Sequence, residues 1–292
     1  MTYSLFLRWL LVVFTLFSYS LQAQDKLAYR LYTQEGKPVE FQKIINELIK
    51  ADIVLFGELH DNSIDHWLQL QVTKDLFKAN PQLALGFEMF EADNQLVLNE
   101  YLNGTIEERH LLHEAKVWDN YKNDYKPLIE FAKANKLKAI ATNVPRRYAN
   151  LVSRKGIDAL ASIQDEGKQF IATLPIEIDL ELPGYKNMIS SMGSHGTPGS
   201  AENIARAQAV KDATMAYFIL KNLSNGIFIH YHGAYHSQNF EGIYWYLRKA
   251  NPNLKIVTIH SVEQEDINKL SDDNKNTADF IICIPSDMTK TY

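Results

Sequence analysis

Short apolar runs alternate with longer amphipathic stretches along most of this chain. Residues 53–57, 83–88, 137–142 and 226–231 are compact apolar segments that end against polar side chains. This is the pattern of strands buried on both faces of a parallel sheet. Residues 256–259 and 280–284 read the same way. Between them, residues 41–50, 64–78, 94–102, 106–114, 126–135, 203–223 and 241–250 carry helical spacing. In the helix at 64–78, Ile64, Trp67, Leu68, Gln71, Val72 and Leu76 trace the expected buried stripe, with Asn62 or Ser63 as its cap. Strands alternating with helices predict an α/β fold, a mostly parallel open sheet flanked by helices. Residues 91–201 contain one predicted strand and read as a helical insertion beside the sheet. Residues 190–200 are rich in Gly, Ser and Pro and read as a mobile loop.

The start of the chain breaks this pattern. Arg8 precedes an apolar stretch from Trp9 to Phe17, and Ser18, Ser20 and Ala23 follow. Residues 1–23 therefore read as a signal peptide cut near Ala23, with an uncleaved anchor as the competing reading, and residues 24–292 as one domain. No cysteine stands near the cut, so no lipobox is seen. Cys283, the only cysteine, lies in an apolar run and reads as an inert buried thiol. An exported, periplasmic or cell-envelope protein without disulfides is expected. The net charge of -5 and pI near 6.0 leave no basic footprint for nucleic acid.

Chemistry gathers where the strands end. Glu58 and His60 follow the first run, Glu88 ends the second, Asn143 the third, and His232 and His236 stand just past the fourth. In an open parallel sheet such positions converge on one crevice. Two histidines with one or two carboxylates there suit acid–base chemistry or a divalent metal. Each also has a structural reading: Glu58 as an anion at a helix N-terminus, His60 as a local hydrogen-bond donor. His230 lies inside its strand and reads as structural, and His66 as packing or site with equal weight. On the longest helix, Gln208 and Asp212 share one face and would support the crevice from behind or form a structural hydrogen-bond network. Tyr148, Tyr185 and Tyr235 stand where a phenolate would reach a hard metal such as ferric iron. Arg146 and Arg147 would meet carboxylates, or form a solvated basic pair at a helix start.

Taken in order, five motifs resemble the ChaN-like haem-binding uptake proteins of the Tiki superfamily. They are Val54–Asn62, Gly86-Phe87-Glu88-Met89, Asn143-Val144-Pro145-Arg146-Arg147, Arg206-Ala207-Gln208 with Asp212-Ala213, and Gly233-Ala234-Tyr235-His236. The similarity runs over residues 51–247. It implies a parallel-sheet core with a helical region beside it, export, and a part in iron acquisition. It also implies haem held between the two protomers of a homodimer, a tyrosine on iron and a histidine near the partner's propionates. An outer-membrane haem or iron receptor is the further partner implied. The missing lipobox departs from the family's lipoprotein form. The same superfamily is similar to erythromycin-esterase-like hydrolases and to Tiki-type metal-dependent proteases, which carry Gly-x-x-His. Residues 57–60 and 233–236 both fit that signature. This implies the alternative of an esterase or protease with Mn, Zn or Co, in which His60, Glu88 and His236 hold the metal or activate water and Glu58 supports them.

Overall fold

The computed structural model describes residues 26–192 and 199–292. The proposed signal segment lies outside them. Seven strands form one sheet in the order β1-β7-β6-β2-β5-β3-β4. The strands are β1 (Arg30–Thr33), β2 (Ile53–Glu58), β3 (Ala84–Glu91), β4 (Lys138–Asn143), β5 (Phe228–Gly233), β6 (Ile256–Gln264) and β7 (Phe280–Pro285). Only β1 runs antiparallel, against β7, and every other pairing is parallel. β1 is absent from the sequence reading, because Arg30-Leu31-Tyr32-Thr33 is too short and too polar to stand out.

The helices are α1 (Phe41–Leu48), α2 (Ser63–Ala79), α3 (Gln95–Leu102), α4 (Glu108–Glu114), α5 (Tyr121–Asp124) and α6 (Lys126–Ala134). They continue with α7 (Arg146–Lys155), α8 (Asp165–Lys168), α9 (Pro183–Met192), α10 (Ser200–Asn222) and α11 (Ile243–Ala250). Apart from β4, the stretch from α3 to α9 is helical or irregular. The loop expected at 190–200 is corrected at both ends. Ser190 to Met192 close α9 and Ser200 opens α10, while residues 193–198 lie outside the described part. Among the described residues no helix is long and apolar enough to cross a membrane.

The two-residue period of the strands divides the core. Val54 and Phe56 of β2 pack with Leu85, Phe87 and Tyr231 in a cluster that takes in residues of α1, α2 and α6. Ile53 and Leu55 point the other way, into a cluster with Met215 and Ile219 of α10 and Leu247 of α11. Burying such side chains contributes about 1.5–3 kcal/mol each. The sheet is thus covered on both faces, as a parallel sheet requires.

The expected stripe of α2 is only half right. Leu68, Val72 and Leu76 are buried, but Trp67 is 48% exposed. The inward face instead carries Asp65, His66, Gln69 and Thr73. Asn62 is the cap, its Oδ1 accepting from the amides of Ile64 at 3.1 Å and Asp65 at 3.4 Å. The inward polar row sits beside the end of β2, and there it builds the site.

Candidate functional site

Glu58 is the last residue of β2 and shares a pleat face with Val54 and Phe56, so its carboxylate meets α2 and α5–α6. Its Oε1 accepts from the Tyr125 hydroxyl at 2.6 Å and from His60 Nδ1 at 2.8 Å. Its Oε2 accepts from Gln69 Nε2. Burial raises the cost of the charge, but His60, His66 and Tyr125 outweigh it and hold Glu58 below its ordinary value. His66 places Nδ1 3.1 Å from Gln69 Oε1 and Nε2 3.0 Å from the His60 carbonyl. Both partners are acceptors, so the ring is satisfied only when doubly protonated. Burial opposes that charge, and Glu58 and Asp124 raise its pKa nonetheless.

Glu88 stands on the opposite face. β3 shifts register against β4 between Phe87 and Glu91, and this irregularity turns the strand end. Asn143 Nδ2 holds the Glu88 carbonyl at 3.0 Å. The Glu88 carboxylate accepts from the Gly233 amide at 2.8 Å and lies 3.2 Å from His236 Nε2. His236 Nδ1 lies 2.5 Å from Asp212 Oδ1, and Asp212 Oδ2 takes the Tyr185 hydroxyl at 2.6 Å. Burial disfavours a charged His236, yet Glu88 and Asp212 outweigh it and push the imidazole up to about 10. Glu88 is itself buried, and His236 holds it well below the carboxylate range.

The two networks meet at His60 and Gly233. A Cβ on Gly233 would lie 2.6 Å from His60 Nε2, and one on Gly57 3.0 Å from the Ala234 Cα. Glycine is needed at both for this close approach. Gly57 remains inside its strand, so its use is proximity rather than a turn. His60 is edge-on to Trp118 at 4.9 Å between ring centroids, and its Nε2 has no hydrogen-bond partner among the described residues.

The metal reading of His60, Glu88 and His236 gains no support from the arrangement of the described residues. Among the described residues no group of three or more His, Cys, Asp or Glu is set to hold a metal ion. In this arrangement both ring nitrogens of His236 face carboxylates, whose charges favour the doubly protonated ring.

Beside Glu88 opens a cleft of about 750 Å3. Lys116, Arg146, Arg147 and Lys211 bring four cations to it against the two carboxylates of Glu88 and Glu91, and Trp118, Val144 and Ile204 give it apolar wall. Asn143 Oδ1 and Gln208 Oε1 are buried without a partner, and both residues line this cleft. Because Asn143 donates its amide to Glu88, its free atom is an acceptor. Arg147 is held by Asp93 at 2.5 Å, while Arg146 makes no ion pair among the described residues. Cations on an apolar wall fit an amphipathic anion, and haem with its propionates is one.

The three tyrosines fall elsewhere. The Tyr185 ring is buried and its hydroxyl is spent on Asp212. Tyr235 is half-buried against Met188 and His236. Tyr148 packs on Gly167 on the far side of α7, under the Arg147 guanidinium. None of the three lines the cleft. The sequence reading did not find Tyr125, Gln69, Asp65 or Asp124. The one available signal was the i, i+4 run of polar residues at 65, 69 and 73.

Comparison with known proteins places this geometry. Over 226 residues the chain is 24% identical to Protein RETICULATA-RELATED 5, chloroplastic, of Arabidopsis thaliana, which covers 70% of this chain. The chain spans 30% of the length of that curated relative. A structure titled "Cofacial heme binding to ChaN of Campylobacter jejuni" is similar at TM-score 0.63 and 17% identity, covering 88% of this chain and 97% of that one. A mutant of the erythromycin esterase EreC in its open conformation gives TM-score 0.49 and 13% identity, over 89% of this chain and 98% of that one. The likeness to the Campylobacter structure is one of fold. The model of one family, haem-binding uptake, Tiki superfamily, ChaN, matches residues 44–247 and so takes in Glu58, His60, Glu88, Arg146, Arg147, Asp212 and His236. The chain belongs to the ChaN haem-binding uptake family of the Tiki superfamily.

Proposed function

We propose that this protein is an exported haem-binding protein of iron or haem uptake, which takes the porphyrin at the cleft beside Glu88. The observation that carries the reading is the lining of that cleft: Lys116, Arg146, Arg147 and Lys211 around an apolar wall with Trp118. Guanidinium groups pair well with carboxylates such as propionates. Family membership supports haem as the ligand, and the apolar segment behind Arg8 supports export to the periplasm. Tyr148 shares its helix with the two arginines but lies outside this cleft, so it would reach iron only across a homodimer closing around the ligand. An outer-membrane haem or iron receptor is the partner such a protein would serve. Titration of the purified apo-protein with hemin tests this. A saturable Soret shift is expected, weakened in Arg146→Ala, and no stoichiometric binding would end the reading.

One observation favours a second reading, hydrolysis of an ester or amide. His60 Nδ1 is held by Glu58 while Nε2 has no partner, the arrangement of an oriented base. In this reading His60 activates water without a metal and His236 contributes a fixed positive charge. Turnover of a p-nitrophenyl ester that disappears in His60→Ala supports it, and turnover unaffected by that change removes it.

A further inference from the structure

A second groove, of about 670 Å3, runs along the outer edge of the sheet beside β4. It shares no lining residue with the Glu88 cleft. Lys133, Lys136, Lys138 and Lys221 line it, and no aspartate or glutamate does, in a chain whose net charge is -5. None of the four takes part in an ion pair among the described residues, whereas Lys50, Lys126, Lys168, Lys186 and Lys275 do. Lys133 Nζ instead rests 3.7 Å from the centre of the Tyr101 ring, and Lys221 Nζ 5.6 Å from that of Tyr217. Four cations held together without counter-charge repel one another, so a bound anion is their natural complement.

Gln95 narrows the kind of anion. β4 is the last strand of the sheet, and such an edge invites an added strand. The Gln95 side chain occupies that edge: its Nε2 donates to the Ala139 carbonyl at 2.9 Å, and its Oε1 accepts from the Ala141 amide at 2.7 Å. An extended acidic peptide therefore finds its backbone partners already taken. The same Nε2 donates to Asn99 Oδ1 at 2.9 Å, which leaves the Asn99 amide nitrogen as the group it can offer a ligand. What remains is a set of point cations and an amide donor beside Leu102, Ile140 and Phe218. Ammonium groups suit compact, highly charged oxyanions.

We propose that this groove binds a phosphate ester carried on an apolar or aromatic body. The phosphate oxygens meet the lysines and the Asn99 amide, and the body rests on the apolar floor. A soluble organic phosphate and the headgroup region of an anionic phospholipid offer the same chemistry. Calorimetry with phenyl phosphate and sedimentation with phosphatidylglycerol vesicles, set against phosphatidylcholine vesicles, separate the two sources. At least one of the two anionic probes is expected to bind the full chain. Lys138→Glu with Lys221→Glu should weaken that binding about tenfold or more, and Lys138→Arg with Lys221→Arg should preserve it. Both lysines are exposed, and an unchanged thermal melt shows that the fold persists. Binding of phenyl phosphate assigns a soluble ligand, and binding of anionic vesicles alone assigns a lipid. Binding of neither probe, or binding indifferent to the charge reversal, overturns the proposal.

Discussion

His236 Nδ1 lies 2.5 Å from Asp212 Oδ1, and the other nitrogen of the ring faces Glu88. An imidazole set between two buried carboxylates is a fixed cation, neither a base nor a ligand at neutral pH. That relationship decides how the strand-end residues divide their work. His236 holds charge, whereas His60 keeps an open nitrogen.

The first prediction concerns pH. The folded pKa of His236 is raised from 6.5 to about 10. Its contribution to stability is therefore complete below about pH 6.5 and is lost as pH rises through about 10. His236→Gln should cost about 3–5 kcal/mol near pH 6, since it strands buried charge. The deficit should shrink toward pH 10. Urea titrations across that range check this, and a deficit independent of pH would contradict it.

The second concerns Asp65. Its Oδ2 accepts from the Leu59 amide at 2.7 Å and its Oδ1 from the Ser261 hydroxyl at 2.6 Å. Burial pushes the carboxyl up from 3.8 to about 7. An acid raised on folding stabilises the fold most below its unfolded value and loses that advantage as pH rises through the folded one. Measured against the native chain, Asp65→Asn should gain relative stability between about pH 4 and about pH 8. Denaturation midpoints at both ends of the window give the sign.

The third concerns Glu58. Burial opposes a charged His60, and the Glu58 hydrogen bond and charge raise its pKa in spite of that. Glu58→Gln should let the His60 pKa fall, observable as a shifted imidazole titration by NMR. It should also cost about 1–3 kcal/mol, because Tyr125 and Gln69 would face a poorer acceptor. An unmoved His60 titration would show that the pair is not coupled.

The fourth concerns the arginines. Arg147 is held by Asp93, and Arg146 has no ion pair among the described residues. Arg146→Ala should therefore weaken hemin binding more than Arg147→Ala does. A lost charge-assisted bond of about 1.5–3 kcal/mol corresponds to roughly tenfold to a hundredfold in affinity. Equal or absent effects in Soret titrations would place the propionates elsewhere.

The fifth separates the tyrosines. The Tyr185 hydroxyl serves Asp212 in a buried position. Tyr185→Phe should destabilise by about 1–3 kcal/mol and leave the hemin spectrum unchanged. Tyr148→Phe should instead abolish tyrosinate-type charge-transfer absorption. The reverse pattern would move the iron ligand to the α9 side of the sheet.

Six of the seven strands were legible as apolar runs, because a strand buried on both faces must be apolar throughout. The polar ends of those runs were legible too, and Glu58, Glu88 and His236 do stand at one end of the sheet. The inward face of α2 was not. A stripe read by hydrophobicity alone selected Trp67, which is exposed, and passed over Gln69 and Asp65, which are buried on partners from other elements.

The sequence by itself determined the alternation of strands and helices, the parallel sheet, and the placing of carboxylates and histidines at strand ends. These follow from local periodicity and from the cost of burying unpaired polar groups. Only the tertiary structure decided what each of those residues is. Tyr125 lies 67 residues from Glu58 and Asp212 lies 24 residues from His236, and no local pattern encodes either meeting. The pleat sends Glu58 to one face and Glu88 to the other, and the pairing of β2 with β5 brings Gly233 under His60. Charge state depends on which groups lie within hydrogen-bonding distance. The fold therefore made His236 a buried cation and left His60 with a free nitrogen.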